Sequence, residues 1–189
     1  TLVFQGTASI LQPLVGLYTD RRPLPYAMAA GMASTGCGLV LLAHAQSFGI
    51  VLLAVALIGL GSSIFHPEAS RIARLAAGMR PGFAQSLFQV GGNVGSAIGP
   101  LLAAFIVLPR GQSSVSWFAA GSLVGIFILW RVGAWYAAHR RANAGRPANT
   151  TPPFDMRTTT IALIVLTVLT LSKNAYTASF SSYYTFYLI

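Results

Sequence analysis

Six long apolar runs, separated by short gaps, constrain this 189-residue sequence more than any other feature. They lie near residues 1–18, 24–43, 48–68, 83–108, 116–137 and 158–189. A run of about 20 mostly apolar residues is the length a helix needs to cross the hydrocarbon of a bilayer. Charged residues make up only 8% of the chain, too few to cover a water-facing surface. The sequence therefore predicts an all-α, polytopic transmembrane helical bundle solvated by lipid. The third run is expected to continue as helix beyond the hydrocarbon, since Arg71 and Arg74 follow without a strong breaker. The sixth is too long for a simple span and predicts tilting or an interfacial end.

The net charge of +9 raises the question of a nucleic-acid partner. Nucleic-acid binders gather their basic residues on one face of a soluble module. Here the basic residues sit in the gaps. Arg21 and Arg22 occupy the first gap, Arg71, Arg74 and Arg80 the third, and Arg140, Arg141, Arg146 and Arg157 the fifth. The second gap has no Lys or Arg, and the fourth has only Arg110. Arg131 and Lys173 fall within spans. The positive-inside rule then places the odd gaps in the cytoplasm, so the partner is the lipid bilayer and no nucleic acid is expected.

Cys37, the sole cysteine, lies inside an apolar run, so neither an intrachain disulfide nor a metal cluster is expected. No cofactor is suggested. The chain opens at Thr1 and is immediately apolar, so no cleavable signal peptide is expected, and it stops at Ile189 within an apolar stretch. Both ends are expected to continue into something longer. Residues 138–157 are polar and rich in Pro and small residues, which predicts a flexible cytoplasmic linker. It would join residues 1–137, part of an N-terminal bundle, to residues 158–189, the first helix of a C-terminal one.

Several groups are candidates for function. In the first gap, Gly16-x-x-x-Asp20-Arg21 is followed by Arg22. Gly16 would let two helices approach closely, and Asp20 could accept hydrogen bonds from a helix N-terminus or a basic partner. Together Gly16, Asp20, Arg21 and Arg22 form a candidate conformational gate; ordinary positive-inside anchoring would explain the arginines equally well. In the fourth run Gly91, Gly95 and Gly99 recur every four residues, with Pro100 following, a small-residue stripe suited to tight helix packing. Gln85, Gln89 and Asn93 form a second stripe about 120° away. Amides inside a bilayer either pair with neighbouring helices or face a wet cavity.

His66 and Glu68 are ionisable groups near the end of the third run, with Pro67 between them able to bend the helix. An acid at membrane depth is a default candidate for proton binding, and a histidine shares that chemistry. The plainer alternative pairs Glu68 with Arg71, three residues on. In the sixth run Lys173, Tyr176, Thr177, Phe180, Tyr184 and Tyr187 fall within about 100° of one another on a helix. A lysine in an apolar run pairs with something anionic, either a substrate or a carboxylate elsewhere. The tyrosines offer hydroxyls and flat surfaces to a ligand; an interfacial aromatic belt is the alternative, and the expected one for Tyr187.

The Gly-x-x-x-Asp-Arg loop resembles the signature of the major facilitator superfamily, although Pro23, Leu24 and Pro25 stand where Gly and basic residues usually follow. Gly95-x-x-x-Gly99-Pro100 resembles the antiporter motif of its exporters, with Ser86, Ala103 and Ala104 replacing glycines. Phe65-His66-Pro67-Glu68 and Gln85-Ser86-Leu87-Phe88-Gln89-Val90-Gly91-Gly92-Asn93 resemble the fosmidomycin-resistance branch. The Tyr-Tyr-Thr-Phe-Tyr-Leu-Ile ending at Ile189 agrees with it. The resemblance covers essentially the whole chain, as helices two to seven of about twelve. It implies an incomplete major facilitator fold in a bacterial plasma (inner) membrane.

The implied activity is proton-driven export of small anionic molecules such as fosmidomycin, a phosphonate. Lys173, Tyr176, Thr177, Tyr184, Gln89 and Asn93 become candidate substrate ligands, and Glu68 and His66 candidate proton carriers. A basic residue that many proton-coupled members carry is replaced by Val55. Uptake of an organic anion on the same scaffold is the alternative, since direction is not written in local residues. A membrane-embedded enzyme is disfavoured, because Asp20, Glu68 and Asp155 are the only acids and no nucleophile–base pair appears.

Overall fold

The computed structural model describes residues 2–143 and 155–187, with side chains excepted at 2, 181, 182 and 184–187. The chain divides into two compact units, Thr1–Gly145 and Arg146–Ile189.

The first unit is a helical bundle. Helix α1 (Leu2–Arg21) ends at the Pro23-Leu24-Pro25 turn, where the residue before each proline is pushed out of the helical region. Helix α2 (Ala27–Ala43) follows, then α3 (Phe48–Ala76), which Ser47 caps by accepting the Ile50 N–H. Arg71 and Arg74 both lie inside α3, so the helix does outrun the apolar stretch. Pro81 starts α4 (Pro81–Leu102) at a position where its missing N–H is harmless. A wider turn at Ala103–Val107, closed by the Leu108 N–H on the Ala103 carbonyl, precedes α5 (Leu108–Arg110). Pro109 has no N–H with which to continue the ladder. Gly111, at φ +80°, reverses the chain into a short 3₁₀ turn and then α6 (Ser116–Ala142). The second unit contains α7 (Met156–Tyr187).

Helices take up both ends of the segment 138–157 expected as a linker. Helix α6 runs on through His139, Arg140 and Arg141, and α7 begins at Met156. Basic side chains in a last turn oppose the negative end of the helix dipole, so polarity there prolongs the helix rather than ending it. Residues 144–154 lie outside the described residues. Four described segments are long and apolar enough to cross a bilayer: Phe48–Ala76, Pro81–Arg110, Gln112–Ala142 and Met156–Phe180. The expected spans 1–18 and 24–43 fall short of that measure. Helix α2 has only 17 residues, and Gln5, Gln12 and Pro13 dilute the apolar run of α1.

Helix α3 touches α1, α2 and α4, and α2 also packs on α6. The most intimate contact is α2 on α3. A Cβ added at Gly61 would strike the Gly31 carbonyl oxygen and the Thr35 hydroxyl, and one at Gly38 would lie 2.7 Å from the Ala54 carbonyl oxygen. The Ser34 hydroxyl donates across the same seam to the Leu57 carbonyl at 2.9 Å. Small residues and interhelical hydrogen bonds hold helices together where lipid offers no hydrophobic contrast. The apolar core is small, with Met28, Ile72 and Tyr136 packed by Ala69, Leu129 and Val132. No residue of α4 is buried among the described residues.

At the opposite end of α2 the Gln112 amide donates to the Leu42 carbonyl at 2.7 Å and the Ala45 carbonyl at 3.1 Å. These are carbonyls a helix C-terminus leaves without partners. Gln112→Ala is expected to lower stability by about 1 kcal/mol. Thermal melting of the full-length protein checks this, and an unchanged midpoint would mean that solvent caps α2 equally well.

Candidate functional site

Two constellations form on opposite sides of α3. The first is a clasp around Arg71. Its Nη2 donates to Glu68 Oε2 at 2.6 Å, and its Nη1 donates to the Thr19 carbonyl at 2.7 Å. Asp20 Oδ1 lies 3.7 Å from the same guanidinium, and the Tyr136 ring centroid lies 5.7 Å from its Cζ. One side chain thereby ties the last turn of α1 to α3 and α6. The carbonyl end of α1 and two carboxylates supply the negative charge that a guanidinium needs to leave water. Glu68 is only 1% exposed, whereas the Asp20 side chain is 73% exposed. Glu68 Oε1 and Arg71 Nε are buried and make no hydrogen bond with the described residues.

The second constellation is a recess of about 240 Å³ between α3 and α4, lined by His66, Phe88, Gln89, Gly92, Asn93 and Ser96. The His66 ring meets Phe65 and Phe88 edge-on, with centroids at 5.9 and 6.5 Å. Two residues along a helix is about 200° of rotation, so His66 and Glu68 face opposite ways. Of the amide stripe, Gln85 accepts a hydrogen bond from Ser70 of α3 at 3.0 Å, while Gln89 and Asn93 border the recess. Interhelical pairing and cavity lining are thus divided along one stripe. Among the described residues, the recess holds imidazole, amide and hydroxyl groups and no carboxylate.

Helix α7, described by itself, is continuous through Lys173. The Thr177 hydroxyl donates to the Lys173 carbonyl at 2.9 Å, and Tyr176 stacks on Phe180 with centroids 6.2 Å apart. Lys173 and Tyr176 are both exposed. The side chains of Tyr184 and Tyr187 lie outside the described residues.

Among the described residues, the glycines expected at close helix contacts meet no neighbour. A Cβ at Gly16, Gly91, Gly95 or Gly99 would meet nothing within 4 Å. Gly16 stands on an open face of α1. Gly95 and Gly99 border an open groove of about 420 Å³ that also reaches Leu39 and Phe118, and Pro100 continues inside α4. Gly31, Gly38 and Gly61, which the sequence reading passed over, bring α2 and α3 together, and Gly36, Gly59 and Gly133 lie as close to other neighbours. The signal of the α2–α3 contact was present as Gly31-x-x-x-Thr35 and Ser34-x-x-x-Gly38, the same small-residue spacing on the preceding helix. Arg71 was likewise read only as a loop charge and as a partner for Glu68. Its reach to Thr19 and Tyr136 depends on the packing of three helices. Arg21 and Arg22 are exposed beyond the clasp.

A family model described as Major Facilitator Superfamily matches residues 1–189. The chain belongs to that superfamily. Among its relatives in the superfamily is the Fosmidomycin resistance protein of Escherichia coli (strain K12), 53% identical over 190 residues. That match covers 100% of this chain and 47% of the relative. The Uncharacterized MFS-type transporter YfnC of Bacillus subtilis (strain 168) is 47% identical over 131 residues, covering 69% of this chain and 32% of the relative. The chain thus spans about half the length of one and a third of the other. No solved structure matches it. Membership of this superfamily, with four helices among the described residues long enough to cross a bilayer, makes this part of a multi-pass membrane protein.

Proposed function

We propose that the chain is part of a proton-coupled carrier that exports small anionic drugs or metabolites, fosmidomycin-like in charge, by alternating access. The observation that carries this reading is the recess of His66, Gln89, Asn93 and Ser96, a pocket of donors without a carboxylate. Such a lining suits an oxyanion, whose charge strengthens every hydrogen bond it accepts. The name of the Escherichia coli relative supports the same substrate class. Lys173, with Tyr176, Thr177 and Tyr184, supplies a cation and hydroxyls from the first helix of a C-terminal bundle. Residues 1–137 belong to the N-terminal bundle, and the intervening linker and odd loops lie in the cytoplasm of a bacterial inner membrane.

In this reading the Arg71 clasp is the gate. Asp20, with Arg21 and Arg22 beside it, closes the cytoplasmic end while α1 is held to α3. The unpaired Oε1 of Glu68 is where a proton would enter the clasp, and His66 carries a proton at the recess. Gly91, Gly95, Gly99 and Pro100 give α4 a smooth face for helix packing.

The test uses the full-length protein in energised everted vesicles, with internal pH followed after fosmidomycin is added. Internal alkalinisation is expected, and Lys173→Ala or Asn93→Ala should weaken the apparent affinity about tenfold or more, the loss of one charge-assisted hydrogen bond. Glu68→Gln should abolish the pH response. No response to a panel of organic anions would overturn the substrate assignment, and unchanged behaviour of the variants would overturn the residues.

A further inference from the structure

A recess of about 660 Å³ at the ends of α3 and α6 belongs to neither constellation. It is lined by Leu75, Tyr136, His139, Arg140 and Asn143. No acidic side chain among the described residues lines it. The nearest carboxylate in sequence, Glu68, is taken by Arg71. Tyr136 is 3% exposed, and its ring borders both this recess and the Arg71 guanidinium. Arg140 uses one N–H on the Pro23 carbonyl at 3.1 Å, in the turn between α1 and α2. A guanidinium carries five N–H donors, so the exposed Arg140 retains most of its capacity for an oxyanion. Arg141 follows it, also exposed.

The ends of α3 and α6 are carbonyl ends, which by themselves repel anions. Here that field is offset. The Asn143 backbone N–H donates to the His139 and Arg140 carbonyls, and its side-chain amide donates to the His139 carbonyl at 2.9 Å. Two full positive charges in the last turn then outweigh a helix-end charge of about one half. Both helices are long enough to cross a bilayer, which puts their ends at headgroup depth. Trp135, exposed on the same turns and stacked on His139 at 5.4 Å, is the residue type that settles at that depth. Leu75 gives the recess an apolar wall. Cations at the rim, an apolar wall and interfacial depth suit a molecule that is anionic at its head and apolar below.

We propose that this recess binds the phosphodiester headgroup of an anionic membrane phospholipid. The headgroup sits on Arg140, which holds the α1–α2 turn, and against Tyr136, which flanks the Arg71 clasp. Lipid charge thereby stabilises the same end of the bundle that the clasp closes.

The test is retention of lipid by the purified full-length protein, read by native mass spectrometry after exchange into mixed phosphatidylglycerol and phosphatidylethanolamine. Preferential retention of phosphatidylglycerol is expected, weakened about fivefold in Arg140→Gln, restored in Arg140→Lys and unaffected in Arg110→Gln. Phosphatidylglycerol should raise the melting temperature of the parent and not that of Arg140→Gln. Equal retention of the two lipids, or an equal loss in Arg140→Gln and Arg110→Gln, would overturn the proposal. Stabilisation by inorganic phosphate equal to that by phosphatidylglycerol would overturn it as well, assigning the recess to a soluble anion.

Discussion

Replacing Arg71 with alanine is expected to destabilise the full-length protein by about 3–5 kcal/mol, because it leaves Glu68 buried without its cation. The magnitude follows from asymmetry rather than from the strength of the pair. Two charges held 2.6 Å apart offset much of each other's lost hydration, and removing one exposes the whole desolvation penalty of the other. The double change Glu68→Met/Arg71→Met should therefore recover most of the loss, since replacing both members of a buried pair by apolar residues of similar volume is often neutral. Thermal unfolding in detergent separates these cases. A nearly neutral Arg71→Ala, or a double variant no more stable than the single one, would mean that water reaches Glu68 and that the clasp holds little. Transport should fail in the stable double variant all the same, if the clasp is the gate.

Gly61→Val is the second change with a large expected effect. Its side chain would have to occupy space held by the Gly31 carbonyl and the Thr35 hydroxyl, and backbone cannot rotate away as a side chain can. Overpacking in a well-filled core costs about 1–3 kcal/mol, and a collision with backbone lies at or beyond the upper end. The full-length protein should fail to accumulate in the membrane. Gly49→Ala on the same helix, where nothing lies within 4 Å, should be neutral or slightly stabilising, as alanine favours helix. Normal accumulation of Gly61→Val would show that α2 and α3 are not pressed together at this point.

The helices were legible because their punctuation is chemical. Pro23 and Pro25, then Pro81, and later Gly111 interrupt apolar runs of spanning length, and helices stop or start beside each. The end of α6 was misjudged, since His139, Arg140 and Arg141 look like linker by polarity yet suit a helix C-terminus by charge. How the candidate residues group was not legible in the sequence. The pattern Phe-His-Pro-Glu puts His66 and Glu68 together on the page, and the helix turns them apart. Spacing alone likewise does not say which glycines meet a partner. Gly95 and Gly99 share a regular stripe but meet an open groove, whereas the unremarked Gly31 and Gly61 touch backbone to backbone, because contact depends on the neighbour as much as on the stripe.

Pro67 stands between the two constellations, and its missing N–H leaves α3 without the ladder bond to the Ser63 carbonyl there. His66 and Glu68 are separated along the axis by about 3 Å of helix, although they look toward different neighbours. An occupant of the recess and the latch on α1 therefore touch opposite faces of the same helix. What one side does to the other must travel as a bend or a twist of a single rod, at the one turn where that rod has a bond fewer to resist it.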